Sequence, residues 1–187
     1  MLRSRVVGLV VLFVFACSGC TWSMFGFDAH HTRFNPAAGT PNVSTVGSVV
    51  LKRTAATSGS IYSSPAVANG VVYVGSNDNK LYAFDAAGHT NCSGIPKTCT
   101  PLWTATTGAR VVSSPAVANG VVYVGSFDNK LYAFDAAGTT GCSGLPKTCT
   151  PLWTGTTGGF VWSSPGPAGG VVYVGSNDAN LYAYGLP

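Results

Sequence analysis

Two consecutive fifty-residue segments of this chain are nearly identical, and this repeat constrains the fold more than any other feature. Segments 61–110 and 111–160 match at all but nine positions, and a third, shortened copy covers 161–187. Near-identical segments adopt the same local structure, so every copy must fold into the same unit. The nine differing pairs are 61/111, 62/112, 77/127, 89/139, 91/141, 95/145, 105/155, 109/159 and 110/160.

Each copy has the pattern of four short strands separated by turns. Asn69-Gly70 is the strongest hairpin signal, because both residues tolerate the positive φ of a type I′ turn. The four predicted strands lie at 63–68, 71–74, 81–84 and 101–106, with a long loop at 85–100 before the last. A fifty-residue period with four strands is typical of a propeller blade. The prediction is an all-β fold, a β-propeller of four-stranded antiparallel blades.

Large aromatic residues recur at the same positions in successive copies. A twisted sheet that lies between two others needs large apolar side chains on both faces, so we expect these rings to pack between blades. The residues are Tyr82, Phe84, Trp103, Tyr132, Phe134 and Trp153.

The N-terminus resembles a secretory signal. Arg3 and Arg5 precede an apolar run at 6–16, which is too short to span a bilayer comfortably. Ser18-Gly19-Cys20 resembles the bacterial lipobox, in which the cysteine becomes the lipid-bearing first residue, although Cys17 stands where an aliphatic residue is usual. We predict a signal peptide at 1–19 with lipidation of Cys20, a lead-in at 20–47 and the repeats at 48–187. Plain secretion and an uncleaved anchor are the alternatives.

The remaining four cysteines suit an oxidising compartment. They are Cys92, Cys99, Cys142 and Cys149, one pair in each complete copy. Equivalence of the copies favours the local pairings 92 with 99 and 142 with 149, each closing one long loop. A metal site is disfavoured, because two cysteines without a nearby histidine or carboxylate rarely hold zinc.

Charge excludes one class of partner. The formal net charge is +4, and Lys80, Lys97, Lys130 and Lys147 occupy repeated positions, which spreads them around the rim and argues against a nucleic-acid footprint. The acidic residues are all Asp and mostly occupy repeated turn positions. Among the residues without an equivalent in the other copies, six are singled out: His30, His31, Arg33, His89, Arg110 and Trp162. Of these, Arg110 and Trp162 are the candidates for lining a central channel.

Residues 70–88 carry a family resemblance. They read Gly-Val-Val-Tyr-Val-Gly-Ser-Asn-Asp-Asn-Lys-Leu-Tyr-Ala-Phe-Asp-Ala-Ala-Gly, and 120–138 repeat the string with Phe127. The string resembles the pyrroloquinoline-quinone (PQQ) type of β-propeller repeat, and 22–36 resemble the lead-in of secreted members. The resemblance implies a propeller over 22–187. Quinoprotein dehydrogenases and the propeller lipoprotein of the outer-membrane β-barrel assembly machinery share this repeat, so it does not fix the function.

The sequence lacks residues that a quinoprotein dehydrogenase is expected to have. Quinoprotein alcohol dehydrogenases typically carry an adjacent cysteine pair, a Ca²⁺ site of carboxylates and amides, and an Asp base, whereas this chain has no adjacent cysteines and no Glu. We therefore predict no catalytic or metal site, and PQQ is suggested by the resemblance alone.

The predicted function is a non-catalytic binding or scaffold module. We expect it to be exported to the periplasmic or extracellular face, anchored to the membrane through lipid, with an envelope protein as partner. The alternative is a fragment or subunit of a PQQ-dependent quinoprotein dehydrogenase.

The blade count predicts an open arc. An isolated fourth strand at 48–57 precedes two complete blades, and a three-strand set at 163–184 follows them, making about three blades. Propellers usually have four to eight. The count predicts a partial propeller, or half of a homodimeric ring in which the N-terminal strand of each copy completes the last blade of the other.

Overall fold

The two complete copies each fold into four antiparallel strands and the third copy into three, which confirms the predicted all-β propeller architecture. The computed structural model describes residues 21–28 and 41–187. The predicted signal peptide, the lipidation site Cys20, and the lead-in residues His30, His31 and Arg33 lie outside the described residues.

The described ranges contain sixteen strands and one short 3-10 helix, Val46–Ser48. In chain order the strands are β1 Arg53–Ala55, β2 Ala66–Ala68, β3 Val71–Ser76, β4 Lys80–Asp85, β5 Cys92–Ser93, β6 Lys97–Cys99, β7 Trp103–Thr106, β8 Ala116–Ala118, β9 Val121–Ser126, β10 Lys130–Asp135, β11 Cys142–Ser143, β12 Thr148–Cys149, β13 Trp153–Thr156, β14 Gly166–Ala168, β15 Val171–Gly175 and β16 Leu181–Gly185.

The strand order is the same in every blade. Blade 1 runs β2-β3-β4-β7, blade 2 runs β8-β9-β10-β13, and blade 3 has β14-β15-β16. The register also repeats, since Tyr82 lies opposite Thr104 in blade 1 and Tyr132 lies opposite Thr154 in blade 2. The predicted Asn-Gly turn joins β2 to β3, with φ of 51° at Asn69 and 76° at Gly70.

The loop predicted at 85–100 contains a hairpin that the sequence pattern did not reveal. Its strands, β5 and β6, are two and three residues long, which is too short for an alternating pattern to be recognised. Each such hairpin pairs in parallel with the outer strand preceding its own blade, so that β6 pairs with β1 and β12 pairs with β7. The hairpins therefore link neighbouring blades through the backbone.

Both predicted disulfides are present and close these hairpins. Cys92 lies opposite Cys99 and Cys142 lies opposite Cys149 in the strand register. Closing rings of this size stabilises the fold by about 2–3 kcal/mol each in the chain-entropy account.

The predicted strand at 48–57 is shorter than expected. Ser48 ends the 3-10 helix, and only Arg53–Ala55 forms a strand, which pairs with β6. The first described residues of the lead-in bond to β2 and β8. Trp22 forms a bridge with Val67 on β2, and the Ser23 carbonyl accepts from the Val117 amide on β8.

Trp103, Tyr82, Phe84, Tyr132 and Phe134 are buried as predicted. The Tyr73 hydroxyl donates to the Ala136 carbonyl at 2.8 Å and so ties blade 1 to the following copy. The prediction for Trp153 was wrong: it is 41% exposed, whereas Trp103 packs closely against Gly138 of the following copy.

The repeated aspartates act as turn and linker acceptors, the role that their positions predict. Asp128 accepts from the Tyr132 hydroxyl and from the Gly108 amide, which holds the linker between blades 1 and 2. Burial, followed by the hydrogen bond to Asp128, raises the pKa of Tyr132 to about 12, so the phenol keeps the proton that it donates. In the other class, amides led by that of Thr90 lower the pKa of Asp85 to about 2.

Candidate functional site

A pocket of about 560 Å³ receives residues from all three blades and from the lead-in. The blade residues come from the segments entering the innermost strands and from the turns between the second and third strands. The lining residues are Phe25, Tyr62, Ser64, Asn77, Arg110, Val112, Ser114, Phe127, Trp162 and Ser164.

In the segment that leads into each blade, some residues line the pocket and others pack inside the fold. Val112 and Ser114 line the pocket, whereas the intervening Ser113 and the preceding Val111 are fully buried. Ser113 accepts from the Gly125 amide at 3.1 Å and donates to the Ser163 carbonyl at 2.8 Å, which joins blade 2 to blade 3. The pocket wall is therefore held by hydrogen bonds within and between blades.

An aromatic cluster with one cation forms the centre of the wall. The Phe127 ring stacks on Phe160 with centroids 5.1 Å apart and meets Trp162 at 5.3 Å. The Arg110 guanidinium lies over Phe127, 4.3 Å from its centroid. This distance allows a cation–π interaction. Phe127 is buried by these neighbours, while Trp162 is 62% exposed and Tyr62 is 70% exposed.

The two complete copies differ most in chemistry at this pocket. Three of the nine differing pairs, 62/112, 77/127 and 110/160, supply its lining or the ring stacked behind it. They exchange tyrosine for valine, asparagine for phenylalanine and arginine for phenylalanine. Another three pairs, 61/111, 105/155 and 109/159, alter only one methyl or methylene group, and the rest lie at 89/139, 91/141 and 95/145 in the loop after the third strand. Both blades keep the same fold, so the fold does not require the differences at the pocket.

The structure brings together two of the residues that the sequence singled out. Arg110 and Trp162 line the same pocket, in the segments that lead into blades 2 and 3, and their place in a central channel stays a prediction. His89 lies elsewhere, in the turn after β4, where its amide donates to Asp85. Sequence reasoning missed Tyr62, Phe127 and Phe25. The first two were visible as differences between the copies, but Phe25 carried no comparable signal.

The pocket lining does not fit a calcium-bound quinone. Ca²⁺ takes six to eight oxygen ligands, usually including carboxylates, and among the described lining residues there is no Asp or Glu. Across 21–28 and 41–187, no three His, Cys, Asp or Glu side chains are grouped to hold a metal ion. The described lining offers aromatic faces, three serine hydroxyls and one guanidinium, which suit binding an apolar segment that carries an acceptor or a negative charge.

No helix within the described ranges combines the length and hydropathy needed to cross a bilayer.

Comparisons with known proteins support the propeller assignment. The profile of a family described as "Outer membrane protein assembly factor BamB" matches residues 95–141, across the junction of the two complete copies. Comparison with curated protein sequences gives no match.

Solved structures of PQQ-type propeller proteins superpose on the chain. A europium-containing methanol dehydrogenase aligns with a TM-score of 0.67 and 19% identity, covering 89% of this chain and 30% of the dehydrogenase. The quinohemoprotein alcohol dehydrogenase ADHIIG from Pseudomonas putida HK5 gives 0.61 and 21%, over 89% of this chain and 25% of the enzyme. BamB from Moraxella catarrhalis gives 0.50 and 15%, over 68% of this chain and 34% of BamB.

The chain thus spans only a quarter to a third of the length of these structures. At such low identity the likeness establishes the fold alone. The described chain is an arc of β-propeller blades, and residues 95–141 match the family model described for BamB.

Proposed function

We propose that this protein is a non-catalytic, exported β-propeller that binds a segment of an envelope protein in the three-blade pocket. One observation carries the proposal. Two copies that agree at 41 of 50 positions differ in charge and aromaticity at the residues forming this pocket.

The composition of the pocket supports a protein partner. Tyr, Trp and Arg are the residues enriched at the energetic centres of protein interfaces, and Tyr62, Trp162 and Arg110 are the examples here. Tyr62 and Trp162 are exposed, so both rings gain contact when a partner covers them. BamB supplies a fold-level analogy, since it is described as an outer-membrane assembly factor.

The cell envelope fits the remaining features of the chain. The two disulfides are typical of proteins that fold in an oxidising compartment. A signal peptide at 1–19 would deliver the chain there, and lipidation of Cys20 would anchor it. Trp22 is bonded to β2, so only Thr21 would separate the anchor from the propeller, a tether of at most ~7 Å from Cys20 to Trp22. Such a tether would hold blade 1 close to the membrane surface.

The test is a photo-crosslink from inside the pocket. Benzoylphenylalanine at Val112, which lines the pocket, is expected to give one discrete adduct with an envelope protein in intact cells. The same probe at Thr100, which is exposed and does not line the pocket, is the control. The adduct from position 112 should fall at least tenfold when Trp162→Ala and Arg110→Ser are added. Equal adducts from both probes, or an adduct indifferent to these substitutions, would contradict the proposal.

A second candidate function is that of a subunit of a quinoprotein dehydrogenase. Structural likeness to two dehydrogenases favours it, and the absence of carboxylates from the described pocket lining opposes it. Dye reduction after addition of PQQ and Ca²⁺ separates the two functions. Turnover above that of heat-treated protein would favour the dehydrogenase, and we expect none.

A further inference from the structure

Two three-stranded sheets of this protein each leave open an edge that is paired in blade 1. One runs β5-β6-β1 and precedes blade 1, and the other, β14-β15-β16, is blade 3. Among the described residues, no strand pairs with the free edge of β1 or with the outer edge of β16. Exposed strand edges offer unsatisfied backbone donors and acceptors, which other strands can pair with.

Blade 1 shows how these two sheets fit together. Its complete sheet has six strands in the order β11-β12-β7-β4-β3-β2. The half β11-β12-β7 corresponds to β5-β6-β1, since Thr148 pairs with Thr104 as Thr98 pairs with Thr54. The two open sheets are therefore the two halves of one six-stranded blade.

The strands of the other half also pair in the same register as their counterparts in blade 1. Strands β4-β3-β2 correspond to β16-β15-β14, since Tyr82 lies opposite Val74 as Tyr182 lies opposite Val174. In blade 1 the two halves meet where β7 pairs antiparallel with β4, with Ala105 opposite Leu81. The same register over β1 and β16 places Ala55 opposite Leu181, Thr54 opposite Tyr182 and Arg53 opposite Ala183.

The side chains at the two edges are exposed where their counterparts are buried. Leu181 is 72% exposed, whereas Leu81 and Leu131 are fully buried. Ala55 is exposed, whereas Ala105 is fully buried. Joining the edges would remove these apolar groups from water, as the equivalent junction in blade 1 does.

One chain does not bring the edges together in this structure. Contacts between β2 and β8 and between β8 and β14 order the blades as 1, 2 and 3, with β1 beside blade 1 and β16 in blade 3. The edges thus lie at opposite ends of the arc.

We propose that a second copy of this chain supplies the missing half, so that β1 of each copy completes blade 3 of the other. Two such junctions related by a twofold axis give six blades, which lies within the usual range of four to eight, whereas a ring of three copies would have nine. The assembly has no free edge at either junction. This proposal is independent of what the pocket binds.

The register is tested with cysteines introduced one per chain. Ala55→Cys in one tagged copy and Leu181→Cys in another are co-expressed and exported. Directly opposed residues in an antiparallel pair are close enough for a disulfide. We expect a covalent heterodimer whose yield is at least fivefold above that of the control pair, Ala55→Cys with Ala183→Cys, because residues two positions along the strand are about 7–8 Å apart.

A variant that leaves the single chain unaltered tests the assembly itself. Leu181→Asp puts a charge at a position that is exposed in one copy, so the blades should fold while the mass measured under native conditions falls from two chains to one. Leu186→Asp, at a residue 95% exposed and outside the pairing, should keep the mass of two chains.

Three results would overturn the proposal. They are a single-chain mass for the unmodified protein at micromolar concentration, equal crosslinking by the control pair, and an internal crosslink within one chain carrying both Ala55→Cys and Leu181→Cys. The last result would mean that a chain closes on itself.

Discussion

Replacing Trp103 with alanine is expected to lower the free energy of unfolding by about 3–5 kcal/mol, the range for large aromatic truncations in cores. Trp103 is 2% exposed and lies against Gly138 of the next copy and 5.9 Å from the Tyr73 ring, measured between centroids. Removing the indole therefore opens a cavity between blades rather than at the surface.

Trp153 is a control supplied by the repeat itself. It occupies the same position one copy later but is 41% exposed. We expect Trp153→Ala to cost less than half as much as Trp103→Ala. Urea unfolding of the two variants with the disulfides intact gives both values. Equal losses would show that the covering of Trp103 by the following copy contributes little.

Gly125→Ala is expected to destabilise the protein by about 1–3 kcal/mol, the usual cost of overpacking. Gly125 lies in β9, and Val161 at the start of the third copy packs directly on its backbone. A methyl group at Gly125 would collide with the Val161 side chain and lie 2.9 Å from its carbonyl oxygen. The third blade would have to move away from the second.

Gly166→Ala is the matched control for this substitution. Gly166 also lies in a strand, β14, and a methyl group there meets no atom within 4 Å. The free energy of unfolding should stay unchanged or rise by about 0.4–1 kcal/mol, because alanine reduces the entropy of the unfolded chain. Thermal unfolding checks both variants. A neutral Gly125→Ala would contradict the close approach of the blades.

The blade was predictable because its signals are local. Asn69-Gly70 determines a turn, Val71–Ser76 and Lys80–Asp85 are rich in strand-forming residues, and the fifty-residue period sets the blade. The disulfides were predictable from equivalence of the copies. Features that depend on contacts between neighbouring copies were harder to predict.

Three features were not predicted correctly from the sequence, because contacts with neighbouring copies determine them. The two-residue strand β5 belongs to a hairpin that pairs with β1, a strand from outside its own copy. The exposure of Trp153 depends on the cover that a neighbouring copy supplies, which the residues around Trp153 do not encode. The predicted strand at 48–57 was too long, because only 53–55 meets a partner, β6.

Only some of the pocket residues could be predicted from the sequence. Arg110 and Trp162 stood out because no other copy has their residue types at those positions. Phe127 is visible as a difference between copies, but its position in a turn gives no hint that Phe160 and Arg110 would enclose it. Comparing copies identified the right positions, and only the fold showed that they converge.

The most direct test compares two variants in which residues of one copy are replaced by those at the equivalent positions of another. One variant is altered inside the pocket and the other outside it. The pocket variant carries Tyr62→Val, Phe127→Asn and Trp162→Val, each residue taken from an equivalent position in another copy. The outer variant carries His89→Thr, Asn91→Gly and Ile95→Leu, which have the same origin but lie in the loop after β4. The measured quantity is the photo-adduct formed from position 112, with thermal unfolding confirming that both variants fold. We expect the pocket variant to lose at least nine-tenths of the adduct and the outer variant to retain it; a pocket variant that keeps the adduct would contradict the claim that this pocket binds the partner.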